Sequence, residues 1–247
     1  MVNIEICISS DNLSMLAKQV LAAKNGGAKR VELCANMLED GLTPSDSAVE
    51  LASSVLTDEQ ALMVMIRPRK GDFHYSSQEV QHMRSSIIAA AKLGAKGVVF
   101  GLLDASQTEL ALTDMQSLVA LATENGLEVT CHRAFDALSD PLAGLAQLQA
   151  IGVKRVLTAG GKWGYPTLAT NNASVFASFL QAAQGEIEII CSGGITPQNA
   201  ASVVAQQTSF KNQASHCLSL HAYSGVLTDG LVDERKVALL CSAANSN

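Results

Sequence analysis

The sequence predicts an α/β fold, a single closed (β/α)8 TIM-type barrel over residues 1–247, and three observations predict it. Short β-branched or apolar runs alternate with helical stretches about once every thirty residues, the spacing of repeated βα units around a parallel sheet. Eight such runs can be counted. Several of the turns before them share a small-Gly-X-basic pattern: NGGAKR at 25–30, KLGAKG at 92–97 and AIGVKR at 150–155. No linker, low-complexity tract or long charge run interrupts the chain, so one domain is expected.

In chain order, the run at 3–8 alternates isoleucines with Glu5 and Cys7, and the helical pattern at 13–24 follows it. The glycines of NGGAKR close that helix in the left-handed conformation, which other residues adopt at a cost. Runs at 30–34 and 61–67 repeat the alternation, and a helix is expected at 79–93. The run at 97–101 and a helix at 113–124 come next, then 127–132 with a helix at 142–151, and 153–158. Runs at 187–192 and 217–221, with helices at 199–206 and 233–242, complete the set. The competing architecture, an open doubly wound sheet, would need an early dinucleotide fingerprint. None is present, and no nucleotide cofactor is expected.

Composition narrows the function. With 48% apolar residues and only 5 Pro in 247 residues, the chain is neither disordered nor fibrous and can bury a sizeable core. Against 23 Asp+Glu stand 17 Lys+Arg, a net charge of −6 without a basic block, so there is no electrostatic footprint for nucleic acid. The opening MVNIEICISSDNLSM has no basic n-region and only a short apolar stretch, which predicts neither a signal nor a membrane span and a cytosolic location. In such a chain the six cysteines are expected to be reduced thiols.

Strand residues alternate between faces, so parity sorts the side chains. Ile4, Ile6 and Ile8 oppose Glu5 and Cys7; Val31 and Leu33 oppose Glu32 and Cys34. Leu62, Val64 and Ile66 oppose Met63, Met65 and Arg67, and Val129 and Cys131 oppose Thr130 and His132. Helices jacket such a barrel and demand the apolar face, which sends the polar set inward. Isolated buried charges cost several kcal/mol each, so these groups are expected to pair with one another or with a ligand.

The loops after the strands agree. IRPRKGDFHYS at 66–76 carries Arg67, Arg69, Lys70 and Asp72, with forked arginine donors suited to a carboxylate or phosphate. CHRAFD at 131–136 delivers His132, Arg133 and Asp136. SGGITPQN at 192–199 places Ser192, Gly193 and a second glycine before a helix start, a geometry whose N–H groups can hold an anion, and HAYSG at 221–225 adds His221. His74, His82 and His216 read as ordinary histidines, and Cys131, Cys191 and Cys241 as core thiols.

Taken together, IEIC, RVELCA, DGLTPS, MIRPRKGDFHYS, GVVFGLLD, CHRAFD, RVLTAG and a late SGGIT resemble, in that order, the CutC family of copper homeostasis proteins. The likeness runs from residue 3 to about 240. It implies a (β/α)8 barrel, a cytosolic copper role and a homodimer or higher homo-oligomer. Cys7 and Cys34 match the family's proposed Cu(I) thiols, and Cu(I) is soft and prefers sulfur. Met65 is a further soft candidate. Asp40 and Lys70 depart from the family pattern, standing where glycine is common.

Two functions follow. The first is a cytosolic Cu(I)-binding homeostasis protein using Cys7 and Cys34. The alternative is a barrel enzyme acting on a small anionic metabolite, with Glu5 or Glu32 as base, His132 and Asp136 assisting proton transfer, and Arg67, Arg69, Arg133, Ser192, Gly193 and His221 holding the substrate.

Overall fold

The computed structural model describes residues 1–208 and 217–246, and in it eight parallel strands close into one barrel in chain order. The strands are β1 (Asn3–Ser9), β2 (Arg30–Cys34), β3 (Ala61–Met65), β4 (Gly97–Phe100), β5 (Glu128–Cys131), β6 (Arg155–Thr158), β7 (Glu188–Cys191) and β8 (Leu218–Ala222). Every expected run overlaps its strand, and β1 and β8 each extend one residue beyond it. Helices α1 (Leu13–Asn25), α2 (Asp46–Val55), α3 (Ser77–Lys92) and α4 (Leu112–Glu124) jacket the first half. The second half is covered by α5 (Pro141–Ala150), α6 (Ala173–Ala183), α7 (Ala200–Thr208) and α8 (Glu234–Ala244). A small antiparallel pair, β9 (Leu227–Thr228) and β10 (Leu231–Val232), precedes α8.

Local chemistry sets the helix ends. Ser76 Oγ accepts from the Glu79 N–H while the Glu79 carboxylate accepts from the Ser76 N–H, a capping box that starts α3 two residues ahead of the periodicity. Asp140 caps α5 through the Ala143 N–H, with Pro141 in the first turn. Gly27, Gly94 and Gly152 of the three repeated turns lie at φ of 95°, 90° and 90°, the left-handed region in which a β-carbon is costly.

Parity sorts the faces as the alternation predicts. Ile4, Ile6, Ile8, Val31, Leu33, Leu62, Val64, Val129, Cys131 and Cys191 belong to the main apolar core, and Cys241 packs against it. Cys7, Cys34, Met63, Met65 and Val99 form a separate small cluster. His82 lines an outer groove shared by α2 and α3, His74 is exposed, and His216 lies outside the described residues.

Ionic pairs close the base of the barrel. Arg30 Nε donates to Glu5 Oε2 (3.0 Å) and its Nη2 to Glu188 Oε1 (2.7 Å), while Arg155 Nη2 meets Glu128 Oε2 (2.5 Å) and its Nε meets Thr130 Oγ1 (3.3 Å). Ser219 also donates to Glu188. Arg30 and Arg155 are the last letters of NGGAKR and AIGVKR; in KLGAKG that place is Gly97. A methyl group on Gly97 would lie 2.6 Å from the Glu128 carbonyl oxygen and 2.8 Å from Met63 Sδ. Because that oxygen belongs to the paired strand and cannot swing away, Gly97→Ala is expected to destabilise by about 2 kcal/mol, measured by urea unfolding. A loss under about 0.5 kcal/mol would show that the sheet yields at this point.

Candidate functional site

Above the ionic layer, at the carboxyl ends of the strands, the barrel opens into a cavity of about 240 Å³. Its lining comes from residues on different strands and loops: Cys7 of β1, Glu32 and Cys34 of β2, Met65 of β3 and His221 of β8, with Arg67, Phe73, His132, Arg133, Trp163 and Tyr223 beyond the strand ends. This is the face on which barrels of this kind carry their chemistry.

On one side lie the sulfurs. Cys7 Sγ is 3.9 Å from Cys34 Sγ and 4.0 Å from Met37 Sδ, and Cys34 Sγ is 3.6 Å from Glu32 Oε2. Cys7 and Glu32 are register partners, as are Ser9 and Cys34, so the two thiols project inward from neighbouring strands one step apart. Met37 reaches them from a 3₁₀ turn, Met37–Glu39, flanked by Asn36 and Asp40 at φ of 49° and 60°. Asp11 fixes that turn by accepting from the Asn36 N–H (2.6 Å) and the Met37 N–H (3.3 Å). The left-handed Asp40 shows why glycine suits that place, and Lys70 pairs with Glu39 at 3.0 Å.

The charges here are tightly linked. The hydrogen bond with Cys34 draws the Cys7 thiol down to about 6; burial opposes this and His221 assists it. The same contact, with burial, pushes Cys34 well above the ordinary thiol value. Burial raises Glu32 well above the usual carboxylate range, against the pull of His221. Glu5 feels the same burial, but His221 Nδ1 at 2.8 Å and the Arg30 guanidinium bring it down to about 2. His221 is raised well above its usual value because Glu32, Cys7 and Glu5 outweigh its own burial. The site thus holds an ionised Glu5, a charged His221 and an acidic Cys7.

The donors come from the loops after β3 and β5. Arg67 is 2% exposed and gives its Nη1 to the carbonyls of Glu39 (2.8 Å) and Gly41 (3.3 Å) and its Nη2 to that of Gly71 (2.9 Å). The expected pairing of Arg67 with an interior carboxylate is therefore replaced: Thr43 takes both its backbone groups, β3 ends at Met65, and the guanidinium serves the loops. Arg30 holds the interior carboxylate of Glu5, together with Glu188, while Arg155 pairs with the exposed Glu128. His132 Nδ1 accepts from the Ala134 N–H (3.1 Å), and burial with the nearby Arg67 charge pushes the ring down to about 3. Arg133 Nε donates to Asp136 Oδ2 (2.8 Å).

The other candidates sit away from the lining. Glu5 lies beneath the floor, bound to Arg30 and His221. Asp136 stands behind Arg133 and also accepts from Thr158 and from the Ala159 N–H (3.1 Å); burial raises it and Arg133 opposes this. Arg69 is on the rim with Asp72 (2.9 Å) and Glu79 (2.7 Å). Ser192 is buried, and its hydroxyl has no partner among the described residues. The Gly193 carbonyl accepts from the Ala169 N–H (3.0 Å), and a methyl there would meet the Thr167 carbonyl at 2.7 Å, so the loop after β7 is packed against its own chain. Met37, Phe73, Trp163 and Tyr223 line the cavity without having been singled out from sequence. They lie on loops, and only the aromatic content of KGDFHYS and HAYSG hinted at two of them.

A donor set of two thiols, a thioether, a carboxyl and an imidazole on a barrel mouth can be compared with known proteins. A family model described as the CutC family matches residues 2–216. A CutC family protein of Histophilus somni is 39% identical over 202 residues, covering 82% of this chain and 77% of its own. The copper homeostasis protein cutC homolog of Mus musculus is 38% identical over 198 residues, covering 79% and 66%. A crystal structure from Streptococcus agalactiae, assigned as a copper homeostasis protein CutC, superposes with a TM-score of 0.74 at 28% identity, covering 90% of this chain and 98% of that one. By sequence and by fold, the chain belongs to the CutC family of copper homeostasis proteins.

Proposed function

We propose that the protein captures Cu(I) in the cytosol, holding it between the Cys7 and Cys34 thiolates with the Met37 thioether as a third soft donor. The observation that carries this reading is the sulfur cluster, with separations of 3.9 and 4.0 Å around Cys7. Two ligands about 2.3 Å from a shared ion at a trigonal angle of about 120° stand about 4 Å apart, the separation Cys7 keeps from both Cys34 and Met37. Their softness selects Cu(I) over hard cations, which would take the carboxylates instead. Cys7 supplies thiolate near neutral pH, and His221 with Glu5 balances the charge around it. All six cysteines are free thiols, the state a reducing compartment maintains.

Competition against a chromogenic Cu(I) chelator under anaerobic, reducing conditions tests the reading. About one Cu(I) per chain is expected, as the ion is soft and the site single. Cys7→Ser with Cys34→Ser is expected to weaken capture at least 100-fold, about 2.7 kcal/mol, and Met37→Leu about tenfold. If the double variant competes as well as the native chain while remaining folded, the site is wrong.

A further inference from the structure

Buried donors and acceptors in folded proteins are satisfied, and each exception asks for an explanation. Among the described residues, four side chains lining the mouth cavity carry a buried polar atom without a partner: Glu32 Oε1, Arg67 Nε, His132 Nε2 and Arg133 Nη2. Leaving such a group unsatisfied costs about 1–3 kcal/mol, and here four belong to residues that line one small space.

Three of the four are donors. Arg67 Nε is an N–H of a fully buried cation whose other nitrogens bond only to carbonyls, and no carboxylate pairs with it among the described residues. Besides those carbonyls, the face of Phe73 lies 5.2 Å from the guanidinium carbon, and the Tyr75 side chain also interacts with this cation. His132 Nδ1 accepts a backbone N–H, which places the ring proton on Nε2 and makes that atom a donor. Arg133 has its Nε anchored on Asp136 and its guanidinium stacked over Trp163 at 5.1 Å, leaving Nη2 unpaired. Phe73 packs against His132 at 4.8 Å and Trp163 at 5.0 Å, so the donors sit in an aromatic frame.

From this arrangement we infer that the mouth cavity binds a small organic oxyanion, whose carboxylate or phosphate head accepts from Arg67 Nε, His132 Nε2 and Arg133 Nη2 while its carbon body lies against Phe73 and Trp163. The charge argues for an anion over a neutral polyol: a buried guanidinium without a counter-ion is far costlier than an unpaired hydroxyl. The volume limits its size, since about 240 Å³ holds roughly eight waters at about 30 Å³ each, which corresponds to a molecule of about ten non-hydrogen atoms. None of the three donors belongs to the sulfur cluster, so this inference stands apart from Cu(I) capture and does not depend on it.

Trp163 is the only tryptophan in the chain and reports on the cavity directly. The full-length protein is titrated in parallel with inorganic phosphate and with succinate at constant ionic strength, following tryptophan emission and melting temperature. A saturable change with a Kd of about 0.1–5 mM is expected for at least one of the two. Response to phosphate alone assigns a phosphate head, to succinate alone a carboxylate head, and either result supports the site. His132→Asn keeps an acceptor for Ala134 and removes the Nε2 donor; it and Arg133→Leu are each expected to weaken binding at least tenfold. Arg69→Met, on the rim outside the cavity, should bind within twofold of the native chain. The inference is overturned if neither anion changes emission or melting temperature up to about 20 mM, or if His132→Asn and Arg133→Leu bind as the native chain does.

Discussion

Arg30→Met is expected to lower the unfolding free energy by about 3–5 kcal/mol, the cost of stranding buried carboxylates. Arg30 bridges Glu5 and Glu188 at 3.0 and 2.7 Å, and both Arg30 and Glu5 are almost wholly buried. Methionine fills similar volume, so the loss comes from charge rather than from a cavity. Urea unfolding at neutral pH measures it. Adding Glu5→Gln to Arg30→Met should recover part of the loss, because one of the two orphaned charges is then gone. The exposed pairs of Arg69 with Asp72 and Glu79 provide the contrast: Arg69→Met should cost no more than about 1 kcal/mol. Equal losses at Arg30 and Arg69 would refute the buried-pair account.

The second large effect is a pH dependence. His132 is held down to about 3 from an ordinary 6.5, by burial and then by Arg67. Between these values the unfolded chain binds a proton that the folded chain refuses. Stability therefore falls as pH drops through 6.5 and goes on falling toward 3, by up to about 1.4 kcal/mol per pH unit from this one group. His132→Asn has no such proton to bind. Unfolding free energies of the two proteins, compared at pH 7 and again near pH 4.5, should diverge by about 2–3 kcal/mol in favour of the variant at the lower pH. Parallel curves would mean that the ring is not excluded from protonation. Glu5 acts in a lower window: its depressed value of about 2 gives stability that is present above 4.5 and lost as pH falls toward 2.

Much of this was legible because two periodicities carried it. Alternation in 3–8, 30–34 and 61–67 sorted isoleucine and valine from glutamate and cysteine, and the closed barrel honours that sorting strand by strand. Extended by one step, the same rule would put Arg30 inward with Glu32 and Cys34, yet the basic ends of the repeated turns read as punctuation, and the guanidinium partner was sought in Arg67. Arg67 escapes the strand rule because Thr43 captures its backbone just past Met65. Met37, Phe73, Trp163 and Tyr223 were out of reach for a different reason. A loop's path depends on left-handed residues such as Asn36 and Asp40 and on clamps such as Asp11, and neither leaves a period in the sequence.

The arginine–glutamate layer under the cavity also governs traffic. It stoppers the barrel from below, so among the described residues the space beside Cys7 opens toward the carboxyl ends of the strands, where Tyr223 and Trp163 share its lining. With Cys7 only 2% exposed, reagent girth as well as thiol acidity then bears on how fast it is labelled.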